Sequence, residues 1–227
     1  MKCTYLLLAC VLVAATHTQA QIAFGPEVGV NSCAYTEKAD GVVNVTQIKG
    51  SIRAGIRANI KLAGNWYLQP GLMYVNNGVS PRIEDGGGGQ YMNINTLEIP
   101  AQLVYKMKSG GVARPFFAAG PYMAWNMSGR VNKWDGNPYA GYPSTIEENL
   151  KVGSAGWDDI KALDFGLTTS VGMELNNGLY VRAILQKGFT NLLPGGNAGN
   201  TMTSNNISLC FGYFFKSKPP AKKTDKK

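Results

Sequence analysis

Apolar and polar residues alternate one by one through residues 51–62. Ile52, Ala54, Ile56, Ala58, Ile60 and Leu62 share one face, and Ser51, Arg53, Gly55, Arg57, Asn59 and Lys61 share the other. Successive side chains of a strand point to opposite faces, so this segment predicts a two-faced strand of about twelve residues. The same period of two recurs at 66–75, 97–106, 163–174, 179–186 and 207–215. Two weaker strands are expected at about 22–34 and 114–126, the latter apolar on both faces. Eight strands are therefore expected, and after residue 20 no apolar run reaches the roughly 18 residues of a membrane helix.

The expected connections alternate in length. Those at 63–65, 107–113 and 176–178 are short and carry Gly or Asn, as tight hairpins require. Those at 35–47, 76–92, 127–160 and 190–204 are long. Short turns at one end and long loops at the other are the mark of a membrane barrel. The expected fold is all-β, an eight-stranded antiparallel up-and-down transmembrane β-barrel with both termini periplasmic. The alternative is a soluble periplasmic or secreted lipocalin-like barrel, with its apolar face inside around an apolar ligand. Two features favour the membrane. The polar face is poor in Lys and Glu and rich in glycine (Gly25, Gly29, Gly55, Gly71, Gly120, Gly166, Gly172, Gly212), which suits a crowded lumen. Aromatics also sit near the ends of the apolar faces, at Trp66, Tyr74, Tyr105, Tyr213 and Phe215, as interfacial girdles do. Pro26, Pro70, Pro100 and Pro121 fall inside expected strands, where bulges or broken ladder bonds are expected.

Charge then sharpens the picture. The chain has 227 residues, a formal charge of +8, and only 16% charged residues, against roughly 25% in ordinary soluble domains. Residues 216–227 hold six Lys and one Asp, and Lys2 adds one more positive charge, which leaves +2 for the rest. A nucleic-acid partner is therefore not expected; the expected surroundings are outer-membrane lipids. Residues 1–20 have the basic start, the apolar run and the Thr18-Gln19-Ala20 ending of a signal peptide. A lipoprotein-like Leu7-Leu8-Ala9-Cys10 is the rival there, but the apolar run continues past Cys10. The expected organisation is a signal peptide at 1–20, one barrel domain at 21–215, and a disordered Lys/Pro-rich periplasmic tail at 216–227.

Cleavage would remove His17, the single histidine, and with it every imidazole base and His metal site. No catalytic residue, metal or cofactor is expected, and the protein is expected not to be an enzyme. Cys33 and Cys210 remain, both on the inward face. In an unshifted register they lie roughly 20 Å apart, too far for a disulfide, so free thiols are expected.

Leu97-Glu98-Ile99-Pro100-Ala101-Gln102-Leu103-Val104-Tyr105-Lys106 resembles a strand of the PorT-type outer-membrane β-barrel family of the Bacteroidetes. Phe116-Phe117-Ala118-Ala119-Gly120-Pro121-Tyr122 is similar to that family's next strand, and Gly25 to Asn31 and Arg182 to Asn191 also fit it. The resemblance spans most of 22–215. It implies an eight-stranded outer-membrane barrel without agreed catalytic residues. The family's namesake is associated with export of secreted proteases, which makes a secretion-accessory role one expectation and a structural role another.

The chemistry-bearing candidates are inward charges. Glu27, Glu98, Asp164 and Glu174 are expected to meet Arg53, Arg57, Lys61 and Arg182 in a polar cluster that plugs the lumen, because an unpaired buried charge costs several kcal/mol. The acidic pairs Glu147-Glu148 and Asp158-Asp159 read as solvated loop charge rather than a Ca²⁺ site, and Glu84-Asp85 before Gly86 to Gly89 as a loop tip rather than a phosphate loop. The aromatic-rich stretch 127–160 is the candidate surface for another envelope or secreted protein.

Overall fold

The structure is a computed structural model that describes residues 22–46, 48–79, 89–109, 111–134 and 145–215. The expected signal segment, the glycine-rich tip at 80–88 and the basic tail lie outside the described residues. The strands are β1 (Ile22–Ala39), β2 (Val42–Val45), β3 (Lys49–Ala63), β4 (Trp66–Val79), β5 (Gly89–Lys106), β6 (Ala113–Trp134), β7 (Thr145–Leu150), β8 (Leu163–Leu175), β9 (Leu179–Gly188) and β10 (Thr201–Tyr213).

Eight of them form the wall. The neighbour order is β10-β9-β8-β6-β5-β4-β3-β1, and β1 pairs with β10 to close the sheet. Every pairing between these strands is antiparallel. β2 and β7 are extra strands at the loop end, paired with β1 and β6. The expected eight-stranded up-and-down barrel is what forms. The wall strands run further into the loops than the alternation alone indicates. β6 continues to Trp134, so part of the stretch expected as loop 127–160 is a β6–β7 hairpin.

The prolines break rungs without shifting register. The β4–β5 ladder runs Pro70↔Ala101 and resumes at Met73↔Glu98. The β5–β6 ladder runs Pro100↔Tyr122 and resumes at Leu103↔Ala119, opposite Pro121. A proline has no N–H to donate, so the rung is lost while the pleat on either side keeps the pairing. The register shifts sit elsewhere, at Lys61/Ala63 and Asn95/Thr96.

The two faces are inverted relative to a soluble barrel. Phe24, Val30, Ile52, Ile56, Phe117 and Phe211 point outward and are each more than half exposed, while Glu27, Arg53, Arg57, Glu98, Gln102 and Arg182 point inward and are 2% exposed or less. A contiguous apolar exterior around a polar lumen suits lipid rather than water. The lipocalin-like alternative, with an apolar lumen, is overturned. Trp66 packs on Tyr105 at 5.0 Å between ring centroids, and Phe24 on Phe215 at 6.1 Å, which forms an aromatic belt at the short-turn end.

The inward glycines have a specific partner. Gly172 pairs across the sheet with Phe116, Gly166 with Tyr122, and Gly212 with Tyr180. A Cβ on Gly212 would sit 2.2 Å from the Tyr180 ring, and one on Gly172 2.4 Å from the Phe116 ring. Each glycine lets an aromatic ring lie flat over the neighbouring backbone, which fills a narrow lumen without strain.

At the loop end the lumen is roofed by an apolar cluster that includes Cys33, Tyr35, Ile94, Leu150, Ile160 and Leu192. Cys33 pairs with Asn206 and Cys210 with Gly29, and both thiols are free. Their separation is four residues of strand, roughly 13 Å rather than the 20 Å of an unshifted register, still beyond disulfide reach.

Candidate functional site

The lumen is crossed by a hydrogen-bonded stack of charged and amide side chains. In its middle, Glu27 on β1 receives a bidentate pair from Arg57 on β3, with Nε and Nη2 each at 2.8 Å. Tyr180 donates its hydroxyl to the same carboxylate at 2.9 Å, and Arg182 Nε lies 3.4 Å from it. Arg182 also reaches Gln102 at 2.9 Å and Gln69 at 2.5 Å. One level toward the loops, Arg53 forks onto Glu98 at 2.5 and 3.0 Å and donates to Gln186 at 3.0 Å. One level toward the short turns, Lys106 donates to Glu174 at 2.6 Å and to Asn59 at 3.0 Å, and its ammonium lies 4.0 Å from the centroid of the Tyr67 ring.

Five of the eight wall strands supply these charges. Period two along each strand aims them inward, and a fork-to-carboxylate geometry satisfies several donors at once. In such a buried stack the gain over an apolar filling is small, but removing one partner strands the other charge. Successive levels of the barrel are thus spanned by paired groups from facing strands.

The expected cluster is thus largely assembled. Glu27 meets Arg57 and Arg182, and Glu98 meets Arg53. Two members depart from it. Lys61 is exposed at the short-turn end of β3, next to the register shift, and joins no buried pair among the described residues. Asp164 meets no cation among the described residues. It accepts from Ser204 at 2.6 Å and Tyr122 at 3.1 Å. Glu174 takes Lys106 instead, a residue on the same alternating face as Glu98 that strand period could have added. Lys49, which donates to Asn76, Asn77 and Asn93, lies outside the expected strand 51–62 and gave no such signal.

The loop acids are structural. Glu147 pairs with Arg130 at 2.7 Å across the β6–β7 hairpin, and Asp158 and Asp159 accept the backbone N–H groups of Ala155 and Lys151. Among the described residues no group of His, Cys, Asp and Glu is placed to hold a metal. At the same end a cleft of about 280 Å³ opens over the apolar roof. Its floor includes Val131, Leu150 and Ile160, and its rim Glu37, Glu148 and Asp159. Trp157 nearby is 79% exposed.

A closed antiparallel barrel with a polar, packed lumen and an apolar exterior defines the class of small outer-membrane barrels. Residues 17–193 match the outer membrane protein beta-barrel domain family, and the chain belongs to it. The match ends before β10, the strand that closes the barrel. The bacterial outer membrane is accordingly its location. Among solved structures it is similar to Ail, the attachment invasion locus protein of Yersinia pestis, at 10% identity over 86% of this chain and 99% of that one, with a TM-score of 0.42. It is similar to Neisserial surface protein A at 9% identity, covering 84% and 97%, TM-score 0.42. It is also similar to the outer membrane enzyme PagL at 17% identity, covering 81% and 98%, TM-score 0.38. No curated protein matches the chain.

Proposed function

We propose that this is a non-catalytic outer-membrane barrel of the PorT type, sealed through its lumen, that presents its long-loop end to another envelope or secreted protein. The observation that carries the reading is the contrast between the two parts. The lumen is spanned by paired side chains from Lys106 to Arg53, whereas the loop end extends into a paired hairpin beside an apolar-floored cleft with an exposed tryptophan. The non-catalytic half is supported by the absence of any histidine after His17 and by inward acids held in pairs or hydroxyl contacts. The PorT-type assignment rests on the strand motifs at 97–106 and 116–122. The same reading takes residues 1–20 as a cleaved signal peptide and puts both termini and the basic tail in the periplasm.

Replacing 132–149 by a short Gly-Ser link keeps Val131 and Leu150 in the roof. The variant should retain heat-modifiable gel mobility and lose the partner that the full chain pulls down from intact outer membranes. Equal capture by both forms would reject the loop-end reading. An epitope appended after Lys227 should be reached by antibody only after the outer membrane is permeabilised, and labelling of intact cells would reject the orientation.

A further inference from the structure

The short-turn mouth of the barrel holds a second cavity, of about 420 Å³, whose floor is the lowest rung of the sealing network, Lys106 with Tyr67. Its lining includes Tyr67, Lys106, Lys108, Ser109, Arg114 and Asn176. The floor is already neutral, because Lys106 is paired with Glu174. Above it stand two cations, Lys108 and Arg114, and neither makes a hydrogen bond or ion pair among the described residues. Glu174 is the one acidic residue within the described parts of this end, at 61–67, 106–114 and 174–178. The acids are concentrated at the opposite end, at Glu37, Asp40, Glu147, Glu148, Asp158 and Asp159.

We infer that this mouth is a binding site for a phosphate group carried on a small polar body. Two uncompensated cations suit an anionic phosphate, fully for a monoester of about −1.5 to −2 at neutral pH and in part for a singly charged diester headgroup. A guanidinium offers a two-pronged fork to phosphate oxygens and an ammonium adds a point charge, so Arg114 and Lys108 supply complementary contacts. The Ser109 hydroxyl accepts from the Gly111 N–H at 3.1 Å, which leaves its own O–H to donate. The cavity exceeds the size of a bare phosphate and leaves room for a glycerol-sized substituent. It opens past the turns, so the group can arrive from an anionic lipid headgroup at the barrel rim or from a soluble phosphate ester. The chemistry is independent of the loop-end reading. The compartment it faces follows from the orientation proposed above, which the epitope experiment tests separately.

The test uses the full mature chain refolded in uncharged detergent. Glycerol 3-phosphate and inorganic phosphate are titrated at constant ionic strength, and the backbone amide resonances of Ser109, Gly111 and Asn176 are followed. Saturable shifts are expected, with affinity weakened roughly tenfold or more, about 1.4 kcal/mol, in a K108Q/R114Q variant that keeps heat-modifiable mobility. Lys61→Gln, outside the cavity, should bind as the parent does. In nanodiscs, shifts that need phosphatidylglycerol rather than phosphatidylcholine assign the headgroup as source, and shifts with the free esters assign a soluble one. Absence of shifts in both arms, equal shifts with sodium chloride, or unchanged binding in the double variant would overturn the site.

Discussion

Glu27 is the anion on which the middle of the lumen converges. Two guanidinium groups and a phenol converge on its carboxylate, and all are buried. Glu27→Gln keeps the shape and a hydrogen-bonding end but leaves Arg57 and Arg182 without their counter-charge. The expected loss is about 3–5 kcal/mol of stability, the usual consequence of stranding a buried charge, read as a lower urea midpoint of the refolded barrel. Lys61→Ala, at an exposed position, should stay within about 0.5 kcal/mol. Equal effects would show that burial does not separate these two residues, which alternation alone places on the same face.

Among the elements, β2 depends on a two-residue turn. Asp40 and Gly41 have φ of 49° and 84°, the left-handed pair of a tight hairpin whose twist matches its strands. Across that turn Thr36 pairs with Val45 and Ala39 with Val42. Replacing Asp40-Gly41 by Pro-Ala forbids the first angle and strains the second by roughly 1–2 kcal/mol. The cross-strand NMR contacts between Thr36 and Val45 should then disappear, while those between Val30 and Ile52 in the wall remain. Persistence of the β1–β2 contacts would mean that packing, not the turn, holds the hairpin. The prolines teach the complementary lesson. A lost rung at Pro70 or Pro100 is tolerated because flanking pairs in a closed wall keep the register.

Taken as a whole, the barrel has a lumen filled by paired polar side chains. Charges and amides span it from Lys106 to Arg53, and an apolar roof follows. In planar bilayers the protein should give no porin-sized current steps. Regular large steps from the purified protein would contradict the seal. The apolar exterior predicts insertion of the whole wall into lipid, with charge gathered toward the ends, basic at the turns and of both signs at the loops.

Strand period, inward face and strand number were legible in the sequence because a wall between lipid and a packed lumen imposes period two on every strand, and hairpin turns announce themselves with Gly and Asn. The inward charges were legible for the same reason. Their partners were not. Which carboxylate meets which cation depends on the stagger between strands, and Lys61, though still in register opposite Tyr67, lies too near the short-turn end of β3 to reach a buried partner. Stagger likewise set the spacing of Cys33 and Cys210. The cavity at the short turns arises only when three turns distant in the chain are brought together, since closure of β1 on β10 is a property of the folded sheet and not of any one segment.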